Sequence, residues 1–160
     1  MTDQSVRQST DQPLPEHTRP DGVDDTTVEA LGKISEALEA VEQARGFLYG
    51  FHRLCGTADL TLGEGVDMLR EAGHTDLADR FQEELIGRNI LEGRWSFQVV
   101  EEYDDVYYSV FKDLEREARD ALVQGRRHLF EAEMKEDRRT HGDPAHTAVP
   151  RDDGPQGVRD

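Results

Sequence analysis

Between Leu31 and Ala132 the apolar residues recur at steps of three and four, with no sustained run of period-two alternation. Such steps put side chains on one face of a helix, whereas a half-buried strand needs every second residue. This spacing predicts an all-α chain. In its first part Leu31, Ile34, Leu38, Val41, Leu48 and Cys55 form the stripe, and Ala37, Ala44, Phe47, Phe51 and Leu54 widen it. In its last part Tyr103, Tyr107, Val110, Leu114, Ala118, Leu122, Gly125, Leu129 and Ala132 continue in the same way.

Capping and breaking residues divide the pattern. Asp24, Asp25, Thr26 and Thr27 offer N-cap oxygens and negative charge for a helix start, and Gly56 is read as its stop. Asp59 or Thr61 opens a second helix carrying Leu62, Val66, Leu69 and Ala72, which Gly73 ends. Thr75 and Asp76 open a third, carrying Leu77, Phe81 and Leu85, with a break near Gly87–Asn89. Residues 90–96 are read as a turn or as the first turn of the last helix. The expectation is a helical bundle of about four helices. Two are long (about 26–55 and 95–137) and packed antiparallel, with a short helical hairpin between them. That arrangement brings residues 47–55 beside residues 95–111.

The flanks differ in composition. Residues 1–25 hold Pro13, Pro15 and Pro20 but only Val6, Leu14 and Val23 as large aliphatic residues, and residues 138–160 are polar and rich in Pro and Gly. Neither can bury enough apolar surface to offset its ordering entropy, so both are read as disordered tails around one domain at 26–137. The formal net charge of −16 repels phosphate backbones and weighs against nucleic-acid binding. Lysine is confined to Lys33, Lys112 and Lys135, the remaining bases being Arg, a bias suggesting a GC-rich bacterial coding sequence. Cys55 is the single cysteine, so no intramolecular disulfide can form; with no signal-peptide core and no membrane-spanning run, the expected setting is a soluble, cytoplasmic protein.

Several constellations carry possible chemistry. Trp95, Phe97, Tyr103, Tyr107, Tyr108 and Phe111 crowd together among Glu92, Glu101, Glu102, Asp104 and Asp105. Aromatic faces beside carboxylates suit a cationic ligand, but the same aromatics can simply seal one end of a core. His52 falls on the apolar stripe and needs a partner, with Glu101, Asp105 or a tyrosine hydroxyl as candidates. The candidate pocket residues are therefore His52, Trp95, Glu101, Tyr103, Asp105 and Tyr107. Arg45 and His52, seven residues apart on one face, resemble in two residues only the pattern of HEPN-type ribonucleases, and the net charge argues against RNA. A di-metal carboxylate site needs two Glu-x-x-His copies; Glu71–His74 is one, interrupted by Gly73, and His128–Glu131 is reversed. His141, Asp143 and His146 are weak metal candidates in the C-terminal flank. Arg88 and Arg94 either clamp an anion or pair with nearby acids. Gly46 and Gly50, in small-xxx-small spacing, together with Gly125 in the last stripe, imply close approach between the first and last helices or with a second subunit.

No catalytic or phosphate-binding motif is present, and no cofactor can be assigned. The leading expectation is a non-catalytic helical protein–protein interaction or regulatory module, working as a homodimer or with a protein partner. The alternative is a small-molecule- or metal-binding helical bundle with its pocket between residues 47–55 and 92–108.

Overall fold

The computed structural model describes residues 11–150, and within them the fold is all-α, with helices α1 (Asp25–Glu71), α2 (Thr75–Glu84), α3 (Ser96–Glu102), α4 (Ser109–Val123) and α5 (Leu129–Arg138). A 3-10 turn at Pro15–His17 precedes α1, and a π-helical stretch, Tyr103–Tyr108, joins α3 to α4 without a break. Isolated bridging between Leu91 and Arg94 is the sole β-type pairing among the described residues. No helix among them is long and apolar enough to cross a membrane.

Asp24 starts α1 as its side chain implies: Oδ1 accepts the Thr27 backbone N–H at 2.8 Å. The helix then runs for 47 residues, through the expected stop at Gly56 and through the expected restart at Asp59 or Thr61. Gly56 therefore costs helical propensity without ending the helix. The stop lies at Gly73, whose φ of +85° is open to glycine and strained for other residues. There Gly73 N–H bonds Arg70 O and His74 N–H bonds Leu69 O, the paired bonds of a Schellman ending. His74 consequently leaves helical geometry, which dismantles the Glu71-x-x-His74 pattern.

The expected long helix at 95–137 is also corrected. It ends at Val123, because Gln124 and Gly125 both take positive φ, and restarts after His128 as α5. Gly125 thus serves a turn, not a close helix crossing.

The chain forms two compact units, one from residues up to Glu36 together with Glu115 onward, the other from Ala37 to Leu114. In the first, Val28, Val123 and Leu129 make the core with Val23 and Leu31 against it. Phe130 lies so close to Gly32 that an added Cβ would meet its ring at 3.3 Å. Arg19 donates to both carboxylate oxygens of Glu133 at 2.8 Å and to Asp25 at 2.6 Å. Arg139, its side chain 3% exposed, donates to Asp11 at 2.5 Å and to Glu136 at 2.7 and 2.8 Å. The described parts of both flanking segments, read as disordered from composition, are thus held by specific ion pairs of residues 19 and 139. The expectation of disorder at residues 1–10 and 151–160 lies outside the described residues.

In the second unit, α1 runs antiparallel to the α3–π–α4 rod: Val41 meets Tyr103, Arg45 meets Asp104 and His52 meets Ser96. Short α2 and the loop at 85–95 fill the place of the expected hairpin. Val41, Val66, Ala78 and Val100 are its buried apolar residues.

Substituting Gly56→Ala should raise stability by roughly 0.5–1 kcal/mol, since a mid-helix Cβ there meets nothing within 4 Å. Gly73→Ala should lower it by roughly 1–2 kcal/mol through left-handed strain. Urea unfolding of the two variants reads both signs; a loss at Gly56 would contradict a helix continuous through that position.

Candidate functional site

Residues 38–69 of α1 carry apolar side chains around more than half of the helix circumference, and the unit at 37–114 covers only part of it. Written as heptads with Phe51 at position a, the b and e positions face the rest of the unit. They comprise Leu38, Arg45, His52, Asp59 and Val66, and Val41, Leu48, Cys55, Leu62 and Leu69, every one buried or half-buried.

Arg45 anchors this covered face. Its Nε and Nη2 donate to the two carboxylate oxygens of Asp104 at 2.7 and 2.8 Å, and its guanidinium lies 4.9 Å from both the Tyr49 and Tyr108 ring centroids. The Tyr108 hydroxyl donates to Glu42 at 2.5 Å. The Arg45 hydrogen bonds hold the Asp104 carboxyl below its ordinary range, while the hydrogen bond to Glu42 raises the Tyr108 phenol above its own. Burial raises Tyr103, whose hydroxyl reaches the Val41 carbonyl at 3.4 Å. Arg45 is therefore engaged structurally, its donors bonded to Asp104 and, at 3.3 Å, to the Tyr49 hydroxyl.

The a and d positions behave differently. From Ala40 to Ala72 they step by four and three in strict alternation: Ala40, Ala44, Phe47, Phe51, Leu54, Ala58, Thr61, Gly65, Met68, Ala72. All are exposed except Gly65, which is half-buried. Phe47 is 79%, Leu54 71% and Met68 68% exposed, high values for side chains this apolar. The flanking g positions Gln43, Gly50 and Thr57 are uncharged, so no charge lies on a, d or g between Glu36 and Glu64. The expected close crossing at Gly46 and Gly50 is not made within the chain, because a Cβ added at either meets nothing within 4 Å.

Beside the covered face lies a cleft of about 300 Å³, bounded by His52, Cys55, Leu60, Arg88, Trp95, Ser96 and Phe97. His52 Nδ1 sits 2.8 Å from Ser96 Oγ, so the partner of His52 is a serine and neither a carboxylate nor a tyrosine. Trp95 Nε1–H donates to the Gly87 carbonyl at 3.0 Å, and Gln98 Oε1 accepts the Trp95 backbone N–H at 2.7 Å. Gly87 N–H in turn bonds Asp59 Oδ1 at 2.8 Å, fixing the loop to α1. Of the expected pocket residues, the fold thus brings His52 and Trp95 to one cleft. Glu101, Tyr103, Asp105 and Tyr107 lie outside its walls. Glu101 and Asp105 are exposed, and Tyr107 packs at a tilt against Tyr103 and edge-on against Phe111, with centroids 5.5 and 6.1 Å away. Arg94 pairs with Glu102, and Arg88 donates to the Glu84 carbonyl at 3.1 Å. Among the described residues no three His, Cys, Asp or Glu side chains gather closely enough to hold a metal ion.

Spacing alone places Phe47, Phe51 and Leu54 on a core stripe, reads Thr61 as a helix opener and leaves Ala58, Gly65 and Met68 without a role, because a stop at Gly56 truncates the repeat. The unbroken 4-3 spacing was the signal that joins them. No protein-family model, curated protein or solved structure matches this sequence.

The Asp104 shift fixes a sign. A carboxyl depressed by folding stabilises the native state above its ordinary value near 4, and that contribution disappears as pH falls through the lowered value. Asp104→Asn should therefore be less stable than the parent at pH 7, with the gap closing below about pH 4. Thermal unfolding followed by circular dichroism across pH 2–7 measures it; a gap constant with pH would remove Asp104 from the account.

Proposed function

We propose that this chain is a non-catalytic helical module that works by protein–protein contact, with self-association as its primary mode. The observation that carries the reading is the bare a/d face of α1. Seven apolar residues form the buried set among the described residues, whereas on this face Phe47, Leu54 and Met68 are 79%, 71% and 68% exposed and Phe51 45%. Contiguous exposed apolar surface of this extent marks an interaction site, and depletion of charge is the compositional mark of an interface centre. The Arg45–Asp104 clamp supports the same reading, since it holds α1 against α3–α4 while leaving the a/d face outward.

A second reading, a small-molecule-binding bundle, rests on the cleft beside His52. Its supporting feature is the mixture of Trp95, Phe97 and Cys55 with the His52–Ser96 pair. His52→Ala separates the two: loss of a bound organic mass would favour the cleft, whereas a change in stability alone favours a structural histidine.

Native mass spectrometry of the untagged protein at micromolar concentration should give a mass above that of one chain. The double variant Phe47→Glu, Leu54→Glu should remain helical, because both side chains are exposed in the single chain, and should run as a monomer. Because each chain carries −16, association through an apolar face should tighten as salt rises and screens the repulsion. A parent protein monomeric at all concentrations, with no retained partner, would sink the reading.

A further inference from the structure

We infer that the bare face of α1 is a homodimer seam in which two copies of this helix pair antiparallel, about a two-fold axis near residue 56. This rests on the self-association reading above and specifies its geometry.

The argument begins with size. Along the stripe the large side chains are Phe47, Phe51, Leu54 and Met68, and the remainder are alanine, threonine or glycine. In an antiparallel pair each a residue opposes a d residue of the other copy, so the two numbers at one level have a constant sum. With the axis near residue 56 that sum is about 112, which sets Phe47 against Gly65, Phe51 against Thr61 and Leu54 against Ala58 of the second copy. Met68 falls against Ala44, so each of the four large residues meets a small one, and the symmetry repeats every match. Knobs of this size need such holes, and Gly65 has nothing within 4 Å of its absent Cβ. A parallel, in-register pair would instead stack Phe47 on Phe47 and Phe51 on Phe51 while leaving alanine against alanine. The helices would then be held apart at the centre and leave voids at Ala40, Ala44 and Ala58.

Charge selects the same arrangement. In antiparallel pairing g residues flank g residues. Gly50 then lies beside Glu64, Gln43 beside Glu71, and Thr57 beside Thr57 of the second copy, so no two like charges meet although each chain is strongly acidic. The other flank, position e, is apolar from Val41 to Leu69.

Area is sufficient. From its exposures the stripe offers on the order of 700 Å² per copy, close to the roughly 800 Å² each partner gives to a standard interface. The alternating steps of four and three average 3.5 residues, the period that keeps a seam facing its partner through left-handed supercoiling. A second copy satisfies size, charge and area together, with the whole stripe from Ala40 to Ala72 used.

The test is disulfide trapping in the full chain on a Cys55→Ser background, with chain mass and helicity measured alongside. Thr57→Cys should form a covalent dimer on mild oxidation, because its two copies flank the axis. Ala44→Cys should not, because its two copies lie 24 residues apart in level, about 36 Å along the helix. Cross-linking of Ala44→Cys but not Thr57→Cys would overturn the antiparallel pairing in favour of a parallel one while leaving self-association intact. A dimer in which neither variant cross-links would overturn this seam, again without touching the broader reading. A monomeric parent at every concentration would overturn both.

Discussion

The constraint on which the rest depends is the circumference of α1. A helix with one apolar stripe is satisfied by one neighbour, but this helix carries an apolar a/d stripe beside a mixed b/e stripe, and its chain supplies one neighbour along residues 37–72. The b/e stripe lies under α3, the π stretch and the 85–95 loop, while the a/d stripe faces outward with two phenylalanines, a leucine and a methionine on it. Isolated helices gain little from propensity and depend on packing, the more so when Gly46, Gly50, Gly56, Gly63 and Gly65 lower the helical preference of their own segment. A 47-residue helix carrying that glycine load is therefore best stabilised by contact along both stripes.

The Arg45 cluster explains how the covered stripe keeps its place. A bidentate guanidinium–carboxylate pair fixes orientation as well as distance, and two tyrosine rings beside the same guanidinium restrict it further. Asp104, Tyr103 and Tyr108 all lie on the π stretch. Its wider winding moves the side chains that follow it off the stripe that α-helical counting projects, which accounts for the exposure of Val110 and Leu114 where spacing alone places them in a core. Two acids beside the aromatics thus serve packing: Asp104 binds Arg45 and Glu42 binds Tyr108.

Much of the fold was legible because helical periodicity and caps are local. Asp24, Gly73 and the restart after His74 behaved as their side chains dictate. What was not legible depended on degree. Gly56 and Gly73 are the same residue type, but Gly73 is followed by a polar turn and takes a positive φ, whereas Gly56 sits inside a repeat that continues on either side. The division of one broad stripe into a covered and a bare half is likewise invisible in spacing, since Leu48 and Phe47 are equally apolar and differ only in which neighbour reaches them. His52 illustrates the limit for site chemistry. Its place on the covered face was legible, but its partner, Ser96, is the first residue of a helix whose start was ambiguous in sequence.

Acidity and self-association look opposed in a chain of net charge −16, and the placement of the charges resolves the opposition. Along 37–72 the acids and bases lie at b, c and f positions or at the ends of the g row, leaving the middle of a, d and g uncharged. In the proposed pair, long-range repulsion slows encounter and is screened by salt, while the contact would form from neutral surface. Such a distribution also discriminates between partners. A basic helix gains nothing from a charge-free stripe, and a flat aliphatic face finds Phe47 and Phe51 protruding beside holes at Ala44 and Ala58 that it cannot fill. The surface that fits protrusions and holes arranged in this order is one bearing the same order reversed, and the face of α1 read in the opposite direction has it.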